Sequence, residues 1–278
     1  MWNQAFEQAG FQAAIEVRQM PDDADWDPAD VRYNVVRWID TLRPSFIGFG
    51  PSRVNPLTGQ ILDADVMIDA NVVSWLQQRF QSGGLDLSPA ISTYLDGCGK
   101  ATQDWAIQWA ALQQGGEAGL TALQQQLAAT LSDADHPHGN HLCRDYQNEQ
   151  QTAFAALAMA TLPDLASANL DTFIHQYLLA LTAHEVGHGL GLRHNFAGSQ
   201  LLEPAELNDT SVTQSQGLVS SVMDYYPPNL APPGTAQGDF FPTQLGPYDR
   251  WAIEYGYKES PPSLLPSQEQ QMLRDILA

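Results

Sequence analysis

The chain has 278 residues, of which 44% are hydrophobic, and this composition is typical of a packed globular protein with one large domain or two small ones. Its formal net charge is −20, with only 12 lysine and arginine residues, so it lacks the basic surface that binding to nucleic acid needs. No apolar run approaches the roughly 18 residues that a membrane-spanning helix requires. We therefore expect no nucleic-acid partner and no membrane span.

The N-terminal stretch lacks the pattern of a signal peptide, because Met1 leads directly into WNQAFEQAGF, which has helical character. We therefore expect either a cytosolic protein or a mature domain cut from a longer precursor. The residues themselves leave both alternatives open.

The first third of the chain combines helical and strand patterns. We expect a first helix that begins near Trp2 and reaches Ala9. The predicted strands or extended segments are residues 13–20, 31–39, 45–54 and 61–69, with a turn at 55–60. Segment 45–54 is interrupted by two glycines and a proline, which favours the edge of a sheet over its centre.

The rest of the chain is first helical and then rich in loops. Helical spacing dominates residues 70–180, and loops dominate residues 195–250. The last helical candidate is YDRWAIEY at 248–255.

Two further sets of residues could have a chemical role within the helical part. His136, His138 and His141 of DHPHGNH could form a second metal site, but a polar surface loop is the interpretation that we favour, because no helix or strand fixes these side chains. Cys98 and Cys143 could pair in an oxidising compartment, and the sequence leaves this pairing open.

The stretch TAHEVGHGLGLRHN at 182–195 contains three of the seven histidines of the chain. His184 and His188 are four residues apart, so on a helix both side chains point to the same side. Two such imidazoles can bind one tetrahedral zinc ion. Glu185 is offset around the helix from the first ligand, so it can act as a base without binding the metal itself.

The helix must end before the third histidine can reach the same metal. Gly191 predicts this stop, because a glycine in the left-handed conformation ends a helix and reverses the chain. His194 can then bind from the far side. Three protein ligands leave one coordination position open, which is typical of a catalytic zinc site, since a structural site is closed by four protein ligands.

The stretch HEVGHGLGLRH matches the pattern H-E-x-x-H-x-x-G-x-x-H, and the chain therefore resembles the metzincin zinc peptidases. These proteins have a methionine turn beneath the zinc, and SSVMDYY at 220–226 resembles it, with Met223 as the methionine. The resemblance implies that Tyr225, two residues further on, ligates the metal or hydrogen-bonds the reacting centre. Met223 is expected to form an apolar floor and not to be a ligand.

The longer signature HEVGHxLGLRHN is similar to that of bacterial secreted zinc-dependent metallopeptidases, to which the catalytic subunit of an AB5-type enterotoxin is related. This implies a secreted, periplasmic or cell-surface location. Asn195 departs from the aspartate or serine that many subfamilies place after the third histidine, which leaves the subfamily open.

The resemblance also implies an α+β fold with a mixed twisted sheet, a substrate-binding edge strand and an active-site helix. We expect one catalytic domain over 1–278, with an N-terminal subdomain at 1–194 that includes a large helical insertion at about 70–170. The C-terminal subdomain, 195–278, would be loop-rich, with the methionine turn and a final helix. The edge strand would contain Gly48, Phe49, Gly50, Pro51 and Ser52.

These expectations describe a zinc-dependent endopeptidase in which a zinc-activated water attacks the peptide bond and Glu185 is the general base. One alternative is a zinc-containing binding or toxin-assembly module, against which the intact glutamate argues, because a binding site needs no base. Another is an amide hydrolase that acts on a non-protein substrate such as cell-wall peptide. Asp63, Asp65 and Asp69 could also contribute to a calcium site, although their spacing lacks the glycine and glutamate of an EF-hand.

Overall fold

A computed structural model describes residues 1–40, 47–81, 170–232 and 234–277 of the chain. The helices in these residues are α1 (Trp2–Gln8), α2 (Asn71–Gln81), α3 (Leu170–Gly189), α4 (Thr210–Gln216), α5 (Pro247–Tyr257) and α6 (Pro266–Leu277), with a short 3-10 helix at Gly198–Gln200. The strands are β1 (Val36–Ile39), β2 (Gly48–Phe49), β3 (Ser52–Val54), β4 (Ile61–Ala64) and β5 (Val66–Asp69). This mixture is consistent with the predicted α+β class.

The described strands form one three-stranded sheet in the order β1-β5-β2 and one hairpin of β3 and β4. β5 runs parallel to β1 and antiparallel to β2, so the larger sheet is mixed, as predicted. β2 lies at an edge of this sheet, which agrees with the glycines and proline of the predicted segment 45–54. The predicted turn at 55–60 is closed by a hydrogen bond of 2.8 Å from the Asn55 N–H to the Gln60 carbonyl.

The prediction of a strand at 13–20 is wrong. The Asn3 side chain donates to the Ile15 carbonyl and accepts from the Ile15 N–H, both at 2.8 Å. These two bonds occupy the backbone groups of Ile15 that a neighbouring strand would otherwise bind. Ala13 has a positive φ of 47°, which breaks any regular strand at this point.

The predicted strand at 31–39 is shorter than expected and begins only at Val36. A turn at Asp30 takes up the first residues, because its carboxylate accepts the Arg32 N–H at 3.0 Å and its carbonyl accepts the Tyr33 N–H at 3.0 Å. Aspartate stabilises such turns by bonding the backbone two residues on.

Helix α3 is the element around which the described core is organised. It is largely apolar on all sides, which is typical of a helix that is buried on more than one face. In one buried apolar cluster, α3 packs against α2 and the C-terminal loops. The members of this cluster are Ile47, Val72, Leu76, Phe173, Ile174, Tyr177, Ala180, Val219, Tyr226, Phe240 and Phe241. In a second buried apolar cluster, α3 packs against α1 and α5. Its members are Trp2, Ala5, Phe6, Ala9, Ala183, Val222, Met223, Leu245 and Ile253.

Hydrogen bonds join distant parts of the chain to α3. The Trp2 indole N–H donates to the Ala183 carbonyl at 3.1 Å, and the Tyr257 hydroxyl donates to the Leu190 carbonyl at 2.8 Å. Near the other end of α3, the buried Gln176 side chain donates to Asp239 at 2.8 Å and accepts the Phe240 N–H at 2.7 Å. Helix α3 is thus fixed along its length, and side chains near its C-terminus are held in defined positions.

The C-terminal part contains more helix than predicted. The candidate at 248–255 is confirmed as α5, but α6 follows it, so α5 is not the final helix. The expected loop region also contains α4, whose N-cap residue Asp209 accepts the Ser211 N–H at 2.9 Å.

Several predictions fall outside the described residues. They concern most of the helical insertion, the pair Cys98 and Cys143, and the histidines His136, His138 and His141. Within the described residues, no helix has both the length and the apolar character that crossing a membrane would need.

Candidate metal centre

The three histidines of the motif converge on one point. The Nε2 atoms of His184 and His188 are 3.2 Å apart, those of His188 and His194 are 3.0 Å apart, and those of His194 and His184 are 3.2 Å apart. Among the described histidine, cysteine and acidic residues, these three form the cluster whose ligand atoms could hold a metal ion. His184 is buried, and the other two rings are partly buried.

The end of α3 produces this convergence, as the sequence predicted. The helix stops at Gly189, and Gly191 follows with φ 87° in the left-handed region. The Leu192 N–H donates to the Gly187 carbonyl at 3.0 Å, and the Gly191 N–H donates to the His188 carbonyl at 2.9 Å. This pair of bonds is the Schellman motif, which satisfies the last carbonyls of a helix and turns the chain. The turn brings His194 back to the two ligands on the helix.

Backbone carbonyls set the orientation of two of the imidazoles. His184 Nδ1 lies 2.7 Å from the Val222 carbonyl, and His188 Nδ1 lies 2.9 Å from the Leu192 carbonyl. Because a carbonyl can only accept, each ring carries its proton on Nδ1 and presents the Nε2 lone pair to the cluster. This is the arrangement in which metal-bound histidines are found.

The cluster fits a zinc ion. A tetrahedral ion with bonds of about 2.0–2.1 Å separates its ligand nitrogens by roughly 3.3 Å, close to the spacing of the three Nε2 atoms. Burial, together with the neighbouring His188 ring, lowers the pKa of His184 to about 3. The ring is therefore neutral at physiological pH, as a metal ligand must be.

Met223, the methionine of the predicted methionine turn, packs against α3 between the first two histidines. Its side chain is fully buried, and its sulfur lies so close to Gly187 that a Cβ there would overlap it. The Met223 carbonyl also accepts the Asn195 N–H at 3.0 Å, which ties the residue after the third ligand to the same turn. A larger residue at 187 would therefore displace Met223.

A buried aspartate on α5, which the sequence analysis did not identify, anchors the methionine turn. Asp249 accepts the Ser221 hydroxyl at 2.7 Å, the Val222 N–H at 2.9 Å and the Gly246 N–H at 3.1 Å. Burial raises the pKa of Asp249, and the three hydrogen bonds act in the opposite direction. An acidic residue in the first turn of a helix is a sequence signal for capping, but its bonds to Ser221 and Val222 depend on the tertiary fold.

Glu185 and Tyr225 both lie at the metal cluster. The Tyr225 hydroxyl is 2.8 Å from His194 Nε2, on the side of the ring that faces the cluster. Glu185 is buried and lines the same cleft as His184 and Tyr225. The Tyr225 hydroxyl therefore lies beside the three imidazoles, and the Glu185 carboxylate lies in the wall of the cleft that His184 also lines.

An open cleft leads away from the cluster. One wall carries the polar groups of His184, Glu185 and Tyr225. The apolar part of its lining comes from α3, from β2 and the residue before it, and from the C-terminal loops: Ile47, Tyr177, Leu181, Tyr226 and Phe241. The cleft can therefore hold an apolar group next to the metal cluster.

The predicted edge-strand residues do not all lie at this cleft. Gly48 lines it, and a Cβ at Gly48 or at Gly50 would collide with Glu185. The side chain of Phe49 is half-exposed. Ser52 belongs to β3 and pairs with Ala64 in the hairpin, so the predicted strand is split between two sheets after Phe49.

The suggested calcium site is not supported. Asp63 pairs with Arg53 at 2.7 Å, Asp65 accepts the Val35 N–H at 3.3 Å, and Asp69 accepts the backbone and side-chain N–H groups of Asn71 at 2.9 Å. The three carboxylates therefore have separate partners and do not form a metal-holding cluster.

These features place an HExxH helix and a third histidine above a methionine turn, an arrangement that resembles that of the metzincins. Residues 166–278, less than half of the chain, match the family model described as Met-zincin. The match includes α3 and everything that follows it, but none of the described strands. The curated proteins and the solved structures contain no match to the chain.

Metal binding should stabilise the protein measurably. We expect one zinc ion per chain, and we expect removal of zinc by a chelator to lower Tm, because a ligand that binds only the folded state adds about 2.7 kcal/mol at 100 times its Kd. The His194→Ala variant should bind no zinc, and the chelator should no longer lower its Tm. The measurements are zinc content by elemental analysis and Tm by calorimetry.

His175→Ala is the matched control, since His175 lies exposed on the same helix. It should retain zinc and respond to the chelator like the wild type. A wild-type protein that holds no zinc, takes up none and is unaffected by chelators would show that the cluster is not a zinc site.

Asp249→Ala should destabilise the protein by about 2–4 kcal/mol, because it leaves two backbone N–H groups and a hydroxyl buried without their acceptor. Asp249→Asn should cost less, since one acceptor oxygen remains. Both changes should also weaken zinc binding, because the Val222 carbonyl orients His184. Urea unfolding and zinc titration measure the two effects.

Asp275→Ala is the control, since Asp275 is exposed on α6 and its loss should change the free energy of unfolding by less than about 0.5 kcal/mol. If Asp249→Ala were no more destabilising than Asp275→Ala, the anchoring role of Asp249 would be wrong.

Proposed function

We propose that this protein is a zinc-dependent endopeptidase that hydrolyses peptide bonds of protein substrates. The observation that carries the proposal is the position of Glu185, a buried carboxylate directly after a zinc ligand and in the wall of the cleft that leads to the cluster. The metzincin match over residues 166–278 supports the same activity. A site that only binds zinc has no use for a carboxylate held in this place.

Zinc in this site would act as a Lewis acid towards the scissile carbonyl and activate a water for attack. Glu185 then takes the proton of the attacking water and passes it to the leaving amine. The Tyr225 hydroxyl, next to His194 Nε2, is placed to donate to the oxygen that becomes negatively charged. His184, His188 and His194 would hold the ion, and Met223 packs beneath the helix that carries the first two.

An extended peptide would bind along the side of β2 that faces away from β5, with its backbone hydrogen-bonded to the strand. β2 is two residues long and lies at a sheet edge among the described strands. Gly48 belongs both to this edge and to the cleft lining, so a peptide on β2 passes the metal cluster. The side chain that follows the cleaved bond would then enter the cleft between α3 and the loops after the methionine turn.

The two alternatives differ in what they would cleave. A zinc-containing binding or toxin-assembly module would bind zinc and cut nothing, and an amide hydrolase acting on cell-wall peptide would cut only that substrate. A digest of a broad peptide library separates the three, because only a peptidase gives side-chain preferences on both sides of a cut. A secreted, periplasmic or cell-surface location remains a prediction from the resemblance of the motifs, and a longer precursor remains a prediction from the N-terminal sequence.

Glu185→Ala and Glu185→Gln should lower kcat/KM for peptide hydrolysis by about 100-fold or more, since a positioned general base contributes roughly 10²–10⁴ in rate. Zinc content should stay at the wild-type level, because Glu185 is not a ligand. The measurement is hydrolysis of library-derived peptides, with zinc assayed in each variant.

Glu7→Gln, an exposed change on α1, serves as the control and should keep full activity. If Glu185→Ala retained full activity while the wild type cleaved peptides, Glu185 would not be the base. If the zinc-loaded wild type cleaved nothing in the library, the endopeptidase proposal would be wrong.

The lining of the cleft predicts a preference for apolar side chains after the cleaved bond. Burying such a side chain contributes about 1.5–3 kcal/mol, which corresponds to roughly 10–100-fold in kcat/KM over a residue that stays in water. An acidic side chain should be cleaved least, because Glu185 and Asp224 lie in the lining. Peptides that differ only at this position, compared by kcat/KM, measure the preference.

Phe241→Ala should enlarge the cleft and shift the preference towards larger apolar residues. Equal cleavage before acidic and apolar residues would mean that this cleft does not hold the side chain after the bond.

A further inference from the structure

Two glycines of the edge segment face the proposed base. Gly48 and Gly50 are two residues apart, and residues at this spacing in an extended chain point to the same side. Leu181 and Glu185 on α3 lie against Gly48, and Glu185 lies against Gly50. The side chain of Phe49, between them, is half-exposed. This face of the segment therefore carries no side chain where it meets α3.

The approach is too close for any Cβ atom. A methyl group at Gly48 would lie 2.7 Å from Glu185 Oε1 and 2.9 Å from Leu181 Cδ1, and real Cβ atoms do not come nearer than about 3.0 Å. A methyl group at Gly50 would overlap the Glu185 backbone carbonyl and lie 3.0 Å from Glu185 Oε2. The segment thus contacts both carboxylate oxygens and the backbone of the same residue.

The backbone conformation does not explain these glycines. Neither Gly48 nor Gly50 has a positive φ, so other residues could adopt the same backbone angles. At Gly256, by contrast, a Cβ would meet no atom within 4 Å. What Gly48 and Gly50 provide is the missing side chain, which allows the close approach of a strand to its neighbour.

We propose that Gly48 and Gly50, the glycine pair, are positioning residues that fix the Glu185 carboxylate against the peptide-binding edge strand. This inference rests on the proposed function for its catalytic consequence. A glutamate side chain has several rotamers, and contact with the strand removes those in which the carboxylate would swing towards β2. Because Gly48 also belongs to β2, along which the peptide is proposed to bind, the base and the scissile bond are placed relative to one another.

The first test is kinetic. Gly48→Ala should lower kcat about 10–100-fold, since a displacement of roughly 1 Å in a reacting group costs about that much, while KM and zinc content stay near their wild-type values. Gly256→Ala is the control and should leave all of these unchanged, because its methyl group enters open space. A Gly48→Ala protein with the wild-type kcat would overturn the proposal.

A second comparison separates positioning from simple filling of the cleft, because Gly48 also lines it. The two peptides used have alanine or leucine after the cleaved bond. If the methyl group displaces Glu185, kcat should fall by the same factor for both peptides. If only the leucine peptide were affected, the methyl group would act by filling the cleft, and the positioning role would be wrong.

The contact itself can be tested without activity. Gly48→Ala should lower Tm in the wild-type background and lower it less in the Glu185→Ala background, because the colliding carboxylate is then absent. The double variant also covers the case in which Gly48→Ala alone does not fold. Equal Tm shifts in the two backgrounds would show that the glycine pair does not position the Glu185 carboxylate. Unequal shifts in a protein that cleaves no peptide would instead leave the contact in place and refute only the endopeptidase proposal.

Discussion

The hydrogen bond between His184 Nδ1 and the Val222 carbonyl joins two segments, 38 residues apart in the sequence, that together make the metal centre. It places the ring proton on Nδ1 and so directs the Nε2 lone pair towards the other two histidines. The carbonyl can act in this way only because the turn that carries it is itself held, and Asp249 holds it through the Val222 N–H and the Ser221 hydroxyl. The orientation of the first ligand therefore depends on a carboxylate on α5, which lies outside both motifs.

Helix α3 can carry this chemistry because it is packed on two sides. One cluster, which includes Tyr177 and Phe241, lines the cleft, and the other, which includes Met223 and Ile253, packs against α3 below the histidines. The same helix therefore carries His184, His188 and Glu185 as well as part of the apolar lining. A shift of α3 would move all of these together, which explains why polar bonds from Trp2, Gln176 and Tyr257 fix it at several points.

Residue spacing alone predicted those parts of the site whose geometry depends on neighbours in the sequence. The four-residue spacing of His184 and His188 determines that they share a helix face, and Gly191 has the left-handed backbone that the stop requires. The strand at 13–20 was mispredicted because one distant side chain, that of Asn3, satisfies the backbone there. The role of Asp249 was missed for the same reason, since its partners come from a turn more than 20 residues away. The mixed sheet was implied by the resemblance to the metzincins, but which strand lies against Glu185 depends on tertiary contacts.

The spacing of the three imidazoles has a further physical consequence. In His184 and His188 the Nδ1 protons are engaged by carbonyls, so two acceptor nitrogens face each other at 3.2 Å. Two acceptors at this distance repel one another unless a cation or a proton lies between them. Burial disfavours the proton on His184, because its pKa is lowered to about 3. A metal ion between the three nitrogens satisfies this arrangement, because neutral imidazole is the form in which histidine binds a metal.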